Sequence, residues 1–518
     1  MKRVFCFFIL TLLIFLSTST SFSSDFDYAR ALRYSIYFFD ANKCGHDVCE
    51  DNVFDWRGPC HLDDGHDVDV DLTGGFHDAG DHVKFGLPQA YTASILGWAY
   101  YKYSNVFEET GVQEKFLSTL KYFTDYMLKC HPEPDVFYYQ VGDGAVDHTY
   151  WGAPEEQTGE RPTLHYADLS NTASDVLGQT SAALTLMYLN YKDIDADYAQ
   201  ECLEAAKNLY QMGIDRPGYN EVSAYYRSSS FYDDLAWAAS WLYLVEGDPQ
   251  YLEDAEEFVV QPNQLGDNML EHRWTMCWDD MYLPAMFKLY QITNKDIYKD
   301  ALEYNLDYWL YSLETTPGGL KYLSNWGVLR YVSAASMLAL MYYEETDDEA
   351  LKEFAHSQID YILGDNPEDM SYLIGYGERW PKHPHHRAAN GYTYADGDNQ
   401  KEAIHVLLGA LVGGPDLEDN YIDDVNQYQY TEVAIDYNAG FVGAVAGLIN
   451  ALENGSEKDI ILGDVNGDQT VNSLDYTLLG RYLLGEEIDI VLEAADLNQD
   501  GEINSLDIAK LGRILLGN

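Results

Sequence analysis

The chain has 518 residues, with 86 acidic against 31 basic side chains and a formal net charge of −55. Such a charge argues against nucleic acids and anionic membrane surfaces as partners, because their phosphates would repel the protein. Seven cysteines in a chain of this length are too few for a scaffold built on disulfides.

The N-terminus has the pattern of a secretory signal peptide. Lys2 and Arg3 precede an apolar run from Val4 to Leu16, and serine and threonine follow it. The run is shorter than the about 18 apolar residues that a membrane span requires. We therefore predict that residues 1–24 are removed on export and that the protein is secreted and extracellular. A single N-terminal anchor is the alternative.

The segment DLTGGFHDAGDHVKFGLP, residues 71–88, places Asp78 and Asp81 three residues apart among glycines. Like charges repel, and glycine loses much conformational entropy on folding, so a purely structural purpose would be poorly served. The segment therefore predicts a polar loop in a cleft.

From residue 25 to residue 453 the sequence predicts successive helices. Segments such as DVLGQTSAALTLMYLNYK and WGVLRYVSAASMLALMYYEE carry apolar residues at spacings of three and four, and several are apolar almost all round. Alternating strand patterns are rare. An all-α domain follows, and a closed ring of helices would bury such elements.

A second acidic group lies near the end of this region, in YIDDVNQYQYTEVAIDYNAGF. Glu432 is flanked there by Tyr428, Tyr430 and Tyr437. A carboxyl group among aromatic rings loses hydration, which favours the protonated form that a general acid needs. A hydrogen-bonded surface glutamate is the alternative.

A third group is a loop broken by proline and glycine, SYLIGYGERWPKHPHHRAANG. It presents His383, His385, His386 and Arg387. Histidine clusters of this kind can also be solvated or structural.

After a polar linker at residues 454–460, residues 461–518 contain an internal duplication of a loop followed by a helix. Loop positions 1, 3, 5, 9 and 12 are Asp464, Asn466, Asp468, Asn472 and Asp475 in the first copy, and Asp496, Asn498, Asp500, Asn504 and Asp507 in the second. Thr470 and Glu502 stand at position 7, where a backbone carbonyl binds the ion. Ca²⁺ prefers six to eight oxygen ligands, so each loop predicts one calcium ion.

Each of these loops lacks the entering helix of an EF-hand, and the module resembles a type I dockerin. The resemblance implies docking to a cohesin module of a cellulosomal scaffoldin. It also implies that Ser473, Leu474, Ser505 and Leu506 lie at the positions that recognise this partner.

Residues 25–453 resemble glycoside hydrolase family 9, through DLTGGFHDAGDHVKFGLP, PHHRAANG and YIDDVNQYQYTEVAIDYNA. The resemblance implies an (α/α)₆ barrel with an open cleft for a β-1,4-glucan and inverting hydrolysis. Glu432 would be the general acid, Asp81 the base that activates water, and Asp78 a second holder of that water. Asp423 takes the other acidic position of the last motif. Inversion requires the two carboxyl groups about 6.5–9.5 Å apart.

The resemblance further implies that His385 and Arg387 bind sugar hydroxyls beside the scissile bond. The other candidates for contact with the substrate are His148, Trp151, Trp274, Trp326 and Tyr437, with the three tryptophans as stacking platforms. For each aromatic residue, ordinary core packing is the alternative.

Two thiolates and two imidazoles, Cys44, Cys60, His61 and His77, match the tetrahedral chemistry of Zn²⁺. Some members of the resembling family carry such a site. It would hold the loop that carries Asp78 and Asp81. A disulfide, of Cys44 with Cys49 or Cys60, is the alternative for an exported protein.

The segments SSSFYDDLAW and WDDM resemble a calcium site of the same family. Its ligands would be Ser229, Ser230, Asp233, Asp234 and Asp279. Capping of a helix N-terminus, where serine and aspartate are also favoured, is the alternative.

These features together predict a secreted, cellulosome-docked inverting endo-β-1,4-glucanase that acts on cellulose and related glucans. A non-catalytic glucan-binding subunit of the cellulosome is the alternative function.

Overall fold

A computed structural model describes residues 26–221, 224–393, 401–455, 462–466, 470–486, 488, 490–498, 501 and 503–515. The predicted signal peptide, residues 456–460 of the predicted linker, and the predicted ligands Asp468, Asp500 and Glu502 lie outside the described residues.

The larger part of the chain is a succession of helices, as the periodicity predicts. They are α1 (Tyr28–Asn42), α2 (Gly86–Glu109), α3 (Gln113–Lys129), α4 (Gly144–Asp147), α5 (Ser174–Tyr191), α6 (Ala196–Asp215), α7 (Tyr232–Glu246), α8 (Pro249–Phe258), α9 (Tyr282–Thr293), α10 (Asp296–Asp307), α11 (Val328–Thr346), α12 (Glu349–Leu363), α13 (Arg387–Asn390), α14 (Tyr428–Thr431) and α15 (Ile435–Gly455). Short 3₁₀ turns lie at His66–Val68, Pro154–Glu156 and Met269–Glu271, and a π-helical turn at Tyr308–Ser312.

The long helices form two concentric rings, an (α/α)₆ barrel. Helices α2, α5, α7, α9, α11 and α15 make the inner ring, in which neighbours pack side by side. The inner ring closes between α9 and α11, where the Phe287 and Tyr342 rings lie 5.9 Å apart. Helices α1, α3, α6, α8, α10 and α12 pack outside it.

Sequence composition sorts the helices between the two rings. In α5 every residue from Ser174 to Met187 is buried, whereas α6 buries one face only, at spacings of three and four from Ala199 to Tyr210. Helix α15 approaches α11 closely through glycine, since a Cβ at Gly440 would lie 3.0 Å from the backbone nitrogen of Ala334.

Helix α15 also contains the segment Ile435–Glu453, which is long and apolar enough to cross a membrane. Its most apolar window is 89% buried inside the protein, as is usual for a core helix.

Each outer helix returns the chain, so the inner helices all begin at one end of the barrel. A small antiparallel sheet lies at this end, with strands β1 (Lys84–Phe85), β2 (Phe137–Val141) and β3 (Thr163–Ala167) in that order. Lys84 pairs with Val141, and Phe137 pairs with Ala167. The sheet therefore braces the segment that joins Asp81 to α2.

The C-terminal module contains α16 (Ser473–Leu483), α17 (Leu492–Ala495) and α18 (Ser505–Leu515). Helices α16 and α18, which follow the two duplicated loops, pack against each other. Their shared core is small and consists of Val465, Leu479, Ala495, Leu497 and Leu511.

Candidate active site

Three loops meet where the inner helices begin, and backbone hydrogen bonds join them. The Ile435 N–H donates to the Asp78 carbonyl over 3.0 Å, and the His385 N–H donates to the Thr431 carbonyl over 2.8 Å. The two predicted acidic loops and the histidine loop thus form one unit, although they lie far apart in sequence.

Gly80 allows the closest of these approaches. A Cβ at this position would collide with the carbonyl group of His385, and the Gly80 carbonyl accepts a hydrogen bond of 3.1 Å from the Arg387 N–H. The glycine between the two aspartates is therefore required by packing.

Asp78 is buried, and its two carboxylate oxygens have different surroundings. Oδ2 accepts a short hydrogen bond from the hydroxyl of Tyr226, whereas Oδ1 makes no hydrogen bond within the described part of the chain. Burial raises the pKa of Asp78 well above its usual range, and the neighbouring Asp81 carboxylate raises it further. Sequence reasoning missed Tyr226, because no local pattern marks a tyrosine 148 residues away.

Asp81 lies beside His148. Its Oδ2 is 3.5 Å from His148 Nε2, and its Oδ1 accepts a hydrogen bond of 3.3 Å from the Ala79 N–H. His148, predicted as a substrate contact, is therefore placed next to the predicted base.

Glu432 receives both of its side-chain hydrogen bonds on one oxygen. Oε2 accepts from Trp326 Nε1 over 2.6 Å and from the Tyr437 hydroxyl over 2.8 Å. Trp326 is 41% exposed and Tyr437 is buried. Because both donors occupy Oε2, a proton on this carboxyl group would lie on Oε1.

His385 is oriented by the backbone. Its Nδ1 donates to the Val425 carbonyl over 2.6 Å, since a carbonyl can only accept. Burial lowers the pKa of His385, so the ring is neutral with a lone pair on Nε2. The edge of the ring meets Trp151, with centroids 5.1 Å apart.

Arg387 forms a buried ion pair with Asp147. Its Nη1 lies 2.6 Å from Asp147 Oδ2. Burial by itself raises the pKa of Asp147, but Arg387 and His82 outweigh it and the pKa falls to about 2. The segment GDGAVDHTYW contains this aspartate, yet nothing in the sequence pairs it with an arginine 240 residues later.

Asp423 shapes the histidine loop. Its carboxylate accepts from the backbone N–H groups of Lys382, at 2.8 Å, and His383, at 3.0 Å, and lies 3.1 Å from His383 Nδ1. The contacts of Asp423 are therefore with the loop that carries His385.

The three candidate tryptophans occupy different environments. Trp151 is buried, whereas Trp274 and Trp326 are 36% and 41% exposed. Trp274 meets Tyr331 edge to face, with centroids 5.2 Å apart. Two broad aromatic faces are thus open to a ligand, and the third belongs to the packing around His385.

Cys44, Cys60, His61 and His77 come together beneath the Asp78 loop. Their ligand atoms all lie within 4.8 Å of one another, with His61 Nδ1 3.6 Å from Cys44 Sγ and 3.0 Å from His77 Nε2. All six described cysteines are free thiols. The four side chains have the donor set and the spacing that a tetrahedral metal needs.

A second cluster lies where α7 and α9 begin. Asp233 Oδ2 accepts from the Met281 N–H over 2.7 Å, and Asp279 Oδ1 accepts from the Ser229 N–H over 2.6 Å. One oxygen each of Asp233 and Asp234 is buried and makes no hydrogen bond within the described residues. Burial raises the pKa of Asp233 to about 7 and that of Asp279 to about 8.

In the C-terminal module the aspartate at loop position 12 closes each loop in the same way. Asp475 Oδ2 accepts from the Asn472 N–H over 2.8 Å, and Asp507 Oδ2 accepts from the Asn504 N–H over 2.9 Å. Both aspartates are fully buried. The duplication in sequence is therefore a duplication in structure.

Comparison with known proteins gives two family matches. The family described as glycosyl hydrolase family 9 matches residues 28–445, and the family described as dockerin type I domain matches residues 462–516. Endoglucanase A of Bacillus pumilus is 39% identical over 454 residues, which cover 84% of this chain and 68% of that protein.

Solved structures agree with these matches. The cellulase Cel9M of C. cellulolyticum in complex with cellobiose has 62% sequence identity and a TM-score of 0.81, over 82% of this chain and 99% of that one. An endoglucanase from the termite Nasutitermes takasagoensis has 36% identity and a TM-score of 0.78, over 83% of this chain and 100% of that one.

Proposed function

The chain belongs to glycosyl hydrolase family 9, and from this membership we propose that it hydrolyses β-1,4-glucans with Glu432 as general acid and Asp81 as general base. It is an endoglucanase of the cellulase class that carries a type I dockerin. We propose residues 1–24 as the signal peptide, 25–453 as the catalytic domain, 454–460 as the linker and 461–518 as the dockerin.

The hydrogen bonds to Glu432 support its role as the acid. Trp326 and Tyr437 hold the carboxyl group through Oε2. Oε1 then carries the proton that protonates the glycosidic oxygen as the bond breaks. The exposed Trp326 ring, whose Nε1 donates to Glu432 Oε2, supplies a flat face for a sugar.

The base side consists of Asp81, with Asp78 as a second acceptor for the same water. Tyr226 holds Asp78 through Oδ2, and the nucleophilic water is a donor that satisfies Oδ1. Asp81 accepts the proton as the water attacks the anomeric carbon from the face opposite the leaving group. The product then has inverted configuration.

One observation carries the assignment of acid and base. The Asp78 carbonyl accepts a hydrogen bond from the backbone of Ile435, three residues beyond Glu432. This backbone hydrogen bond ties the loop of the proposed base to the loop of the proposed acid, which favours a fixed spacing between the two groups.

His385 and Arg387 are proposed to bind the sugar beside the scissile bond, and Asp423 to hold their loop. The neutral His385 ring offers its Nε2 lone pair to a sugar hydroxyl. Trp274 and Trp326 are proposed as stacking platforms.

A structural zinc ion fits Cys44, Cys60, His61 and His77. The four ligand atoms are close enough to share one ion, and the cluster is mostly buried. When bound, zinc would tie the segment around Cys44 and Cys60 to His77, the residue before Asp78.

We propose that a calcium ion binds at the cluster of Asp233, Asp234 and Asp279 with Ser229 and Ser230. Buried carboxylate oxygens without hydrogen bonds need a cation or a proton. In the dockerin the buried Asp475 and Asp507, together with the asparagines of each loop, fit one calcium each.

The dockerin implies a cohesin partner, and the two domains together indicate an extracellular, cellulosome-associated protein. We propose that this partner is a scaffoldin cohesin, bound through the exposed Leu474 and Leu506 with their neighbours Ser473 and Ser505. Secretion through the predicted signal peptide, without nucleic-acid or membrane partners, belongs to the same proposal.

Hydrolysis of soluble cellulose derivatives tests the function. We expect reducing ends to accumulate and ¹H NMR of early products to show the α-anomer. A β-anomer would overturn the roles of Asp81 and Asp78. No hydrolysis by folded wild-type protein would favour the alternative, a non-catalytic glucan-binding subunit.

A further inference from the structure

A short segment that contains Gln157, which is not among the predicted site residues, joins the metal cluster to the active site. Gln157 follows the 3₁₀ turn Pro154–Glu156 and is half-buried. Its Oε1 lies 2.9 Å from His61 Nε2, and its Nε2 lies 2.9 Å from Asp147 Oδ1. Asp147 holds Arg387 with its other oxygen.

The donors and acceptors along this series of hydrogen bonds, from His61 through Gln157 to Asp147, can be assigned from the chemistry of each group. The Asp147 carboxylate can only accept, so the amide nitrogen of Gln157 faces it and the amide oxygen faces His61. That oxygen can only accept, so His61 carries its proton on Nε2. The lone pair of His61 is therefore on Nδ1, the atom that lies beside Cys44 and His77. Gln157 thus selects the tautomer of His61 that can bind a metal.

The same turn contacts the cluster a second time. Glu155 Oε1 accepts from Arg57 Nε and from the Gly58 N–H, both over 2.8 Å. Arg57 Nη2 in turn lies 3.6 Å from Cys60 Sγ. The turn thus braces one cysteine and one histidine of the cluster.

On the active-site side, Gln157 acts through the C-terminal end of α4. Asp147 ends this helix, and the next residue, His148, lies beside Asp81. A shift of Asp147 would therefore disturb Arg387, which it holds, and His148, which lies beside the proposed base.

We propose that Gln157 is a positioning residue that couples zinc binding at His61 to the placement of Arg387 in the active site. This inference rests on the proposed zinc site and on the proposed role of Arg387. A side chain of the same volume without an amide would lose both hydrogen bonds and so loosen both ends at once.

The test is Gln157→Met in the full-length chain, which keeps the length and volume of the side chain but removes both hydrogen bonds. Zinc affinity is measured by competition with a chromophoric chelator, and kcat and KM on cello-oligosaccharides with zinc in excess. We expect about 10- to 100-fold weaker zinc binding, and a kcat about tenfold lower with a smaller change in KM. The matched control is Gln211→Met, which removes an exposed hydrogen bond to Asp215 and should change neither readout.

A double variant separates coupling from general damage. If Gln157 acts through Arg387, then Gln157→Met combined with Arg387→Lys loses no more kcat than Arg387→Lys alone. Additive losses would overturn the proposal, as would wild-type zinc affinity or wild-type kcat in Gln157→Met. A wild-type chain that binds no zinc would overturn the zinc site together with the coupling. A wild-type chain that binds zinc but hydrolyses no glucan would instead overturn the proposed function and with it the role of Arg387.

Discussion

Buried carboxylates in the dockerin and in the catalytic domain are held in different ways. Both oxygens of Asp475 accept from backbone N–H groups, with Val465 and Asn466 on Oδ1 and Asn472 on Oδ2. Asp78 accepts from one tyrosine hydroxyl and keeps an oxygen without a hydrogen bond in the described part of the chain.

The difference separates two purposes of a buried acid. A carboxylate saturated by backbone donors organises the loop around it. A carboxylate with one unsatisfied oxygen has given up hydration without full replacement, which is tolerable where a ligand completes it.

Glu432→Gln should have the largest effect, because it removes the proton of the proposed acid. We expect kcat on cello-oligosaccharides to fall by about 10²- to 10⁴-fold. The loss should be much smaller on aryl glycosides with very acidic leaving groups. Equal loss on both substrates would contradict the acid role, and Glu204→Gln on the exposed face of α6 is the control.

Removal of zinc should destabilise the catalytic domain and leave the dockerin intact. At a free zinc concentration about a thousand times Kd, bound metal contributes about 4 kcal/mol to the free energy of unfolding. Calorimetry of the zinc-free and zinc-loaded chain measures this. An unchanged melting temperature in a verified zinc-free sample would count against the site.

Asp475→Asn should act on the dockerin alone. An asparagine keeps one acceptor oxygen, so the backbone N–H bonded to the replaced oxygen loses its acceptor, at about 1–3 kcal/mol for each group left unpaired. We expect calcium binding by the first loop to weaken, as measured by calorimetry, while hydrolysis of soluble glucan stays at the wild-type rate. Asp507→Asn should weaken calcium binding by the second loop in the same way. Loss of hydrolysis of soluble glucan in either variant would contradict the prediction that these aspartates serve the dockerin alone.

Asp147 provides a pH-dependent test. Its pKa is about 2 in the folded protein against 3.8 without the fold, so its contribution to stability is full above pH 4 and disappears as the pH falls through 2. This contribution is about 2 kcal/mol. Urea unfolding at pH 4.5 and pH 2 should show a smaller change for Asp147→Asn than for wild type. Equal changes in the free energy of unfolding would mean that the ion pair with Arg387 does not lower the pKa of Asp147.

Tyr226→Phe should have the smallest effect. It removes the hydrogen bond to the Asp78 carboxylate and keeps the ring that packs against Trp278. We expect kcat to fall about fivefold, equivalent to about 1 kcal/mol, with little change in KM. Wild-type kcat would mean that Asp78 needs no support.

The sequence predicted the features that short stretches of residues determine, which are the helices and the duplicated loops. Helical periodicity indicated an all-α domain, and the duplicated loops of the dockerin could be aligned by eye. The two aspartates and Glu432 stand in motifs whose spacing is itself informative. The structure brings their loops together, whereas their catalytic roles stay predictions.

The missed residues share one property, which is that their partners are distant in sequence. Tyr226, Asp147 and Gln157 are not among the predicted site residues, and each gains its role from a side chain on another loop. The aromatic candidates show a second limit. Composition cannot distinguish the buried Trp151 from the exposed Trp274, because burial depends on the packed loops.

The closure of the barrel has a consequence for how the protein is made. Helix α1 packs against α15, where Asn438 Nδ2 donates to the carbonyl of Ser35, 403 residues away. Asn42 likewise meets His386, 344 residues away. Contacts of such separation form late, because the chain must first close a very long loop. The site therefore forms only after the end of the catalytic domain has joined its beginning. A chain still emerging from synthesis or export holds the proposed acid, Glu432, and the proposed base, Asp81, at opposite ends of an unfinished ring.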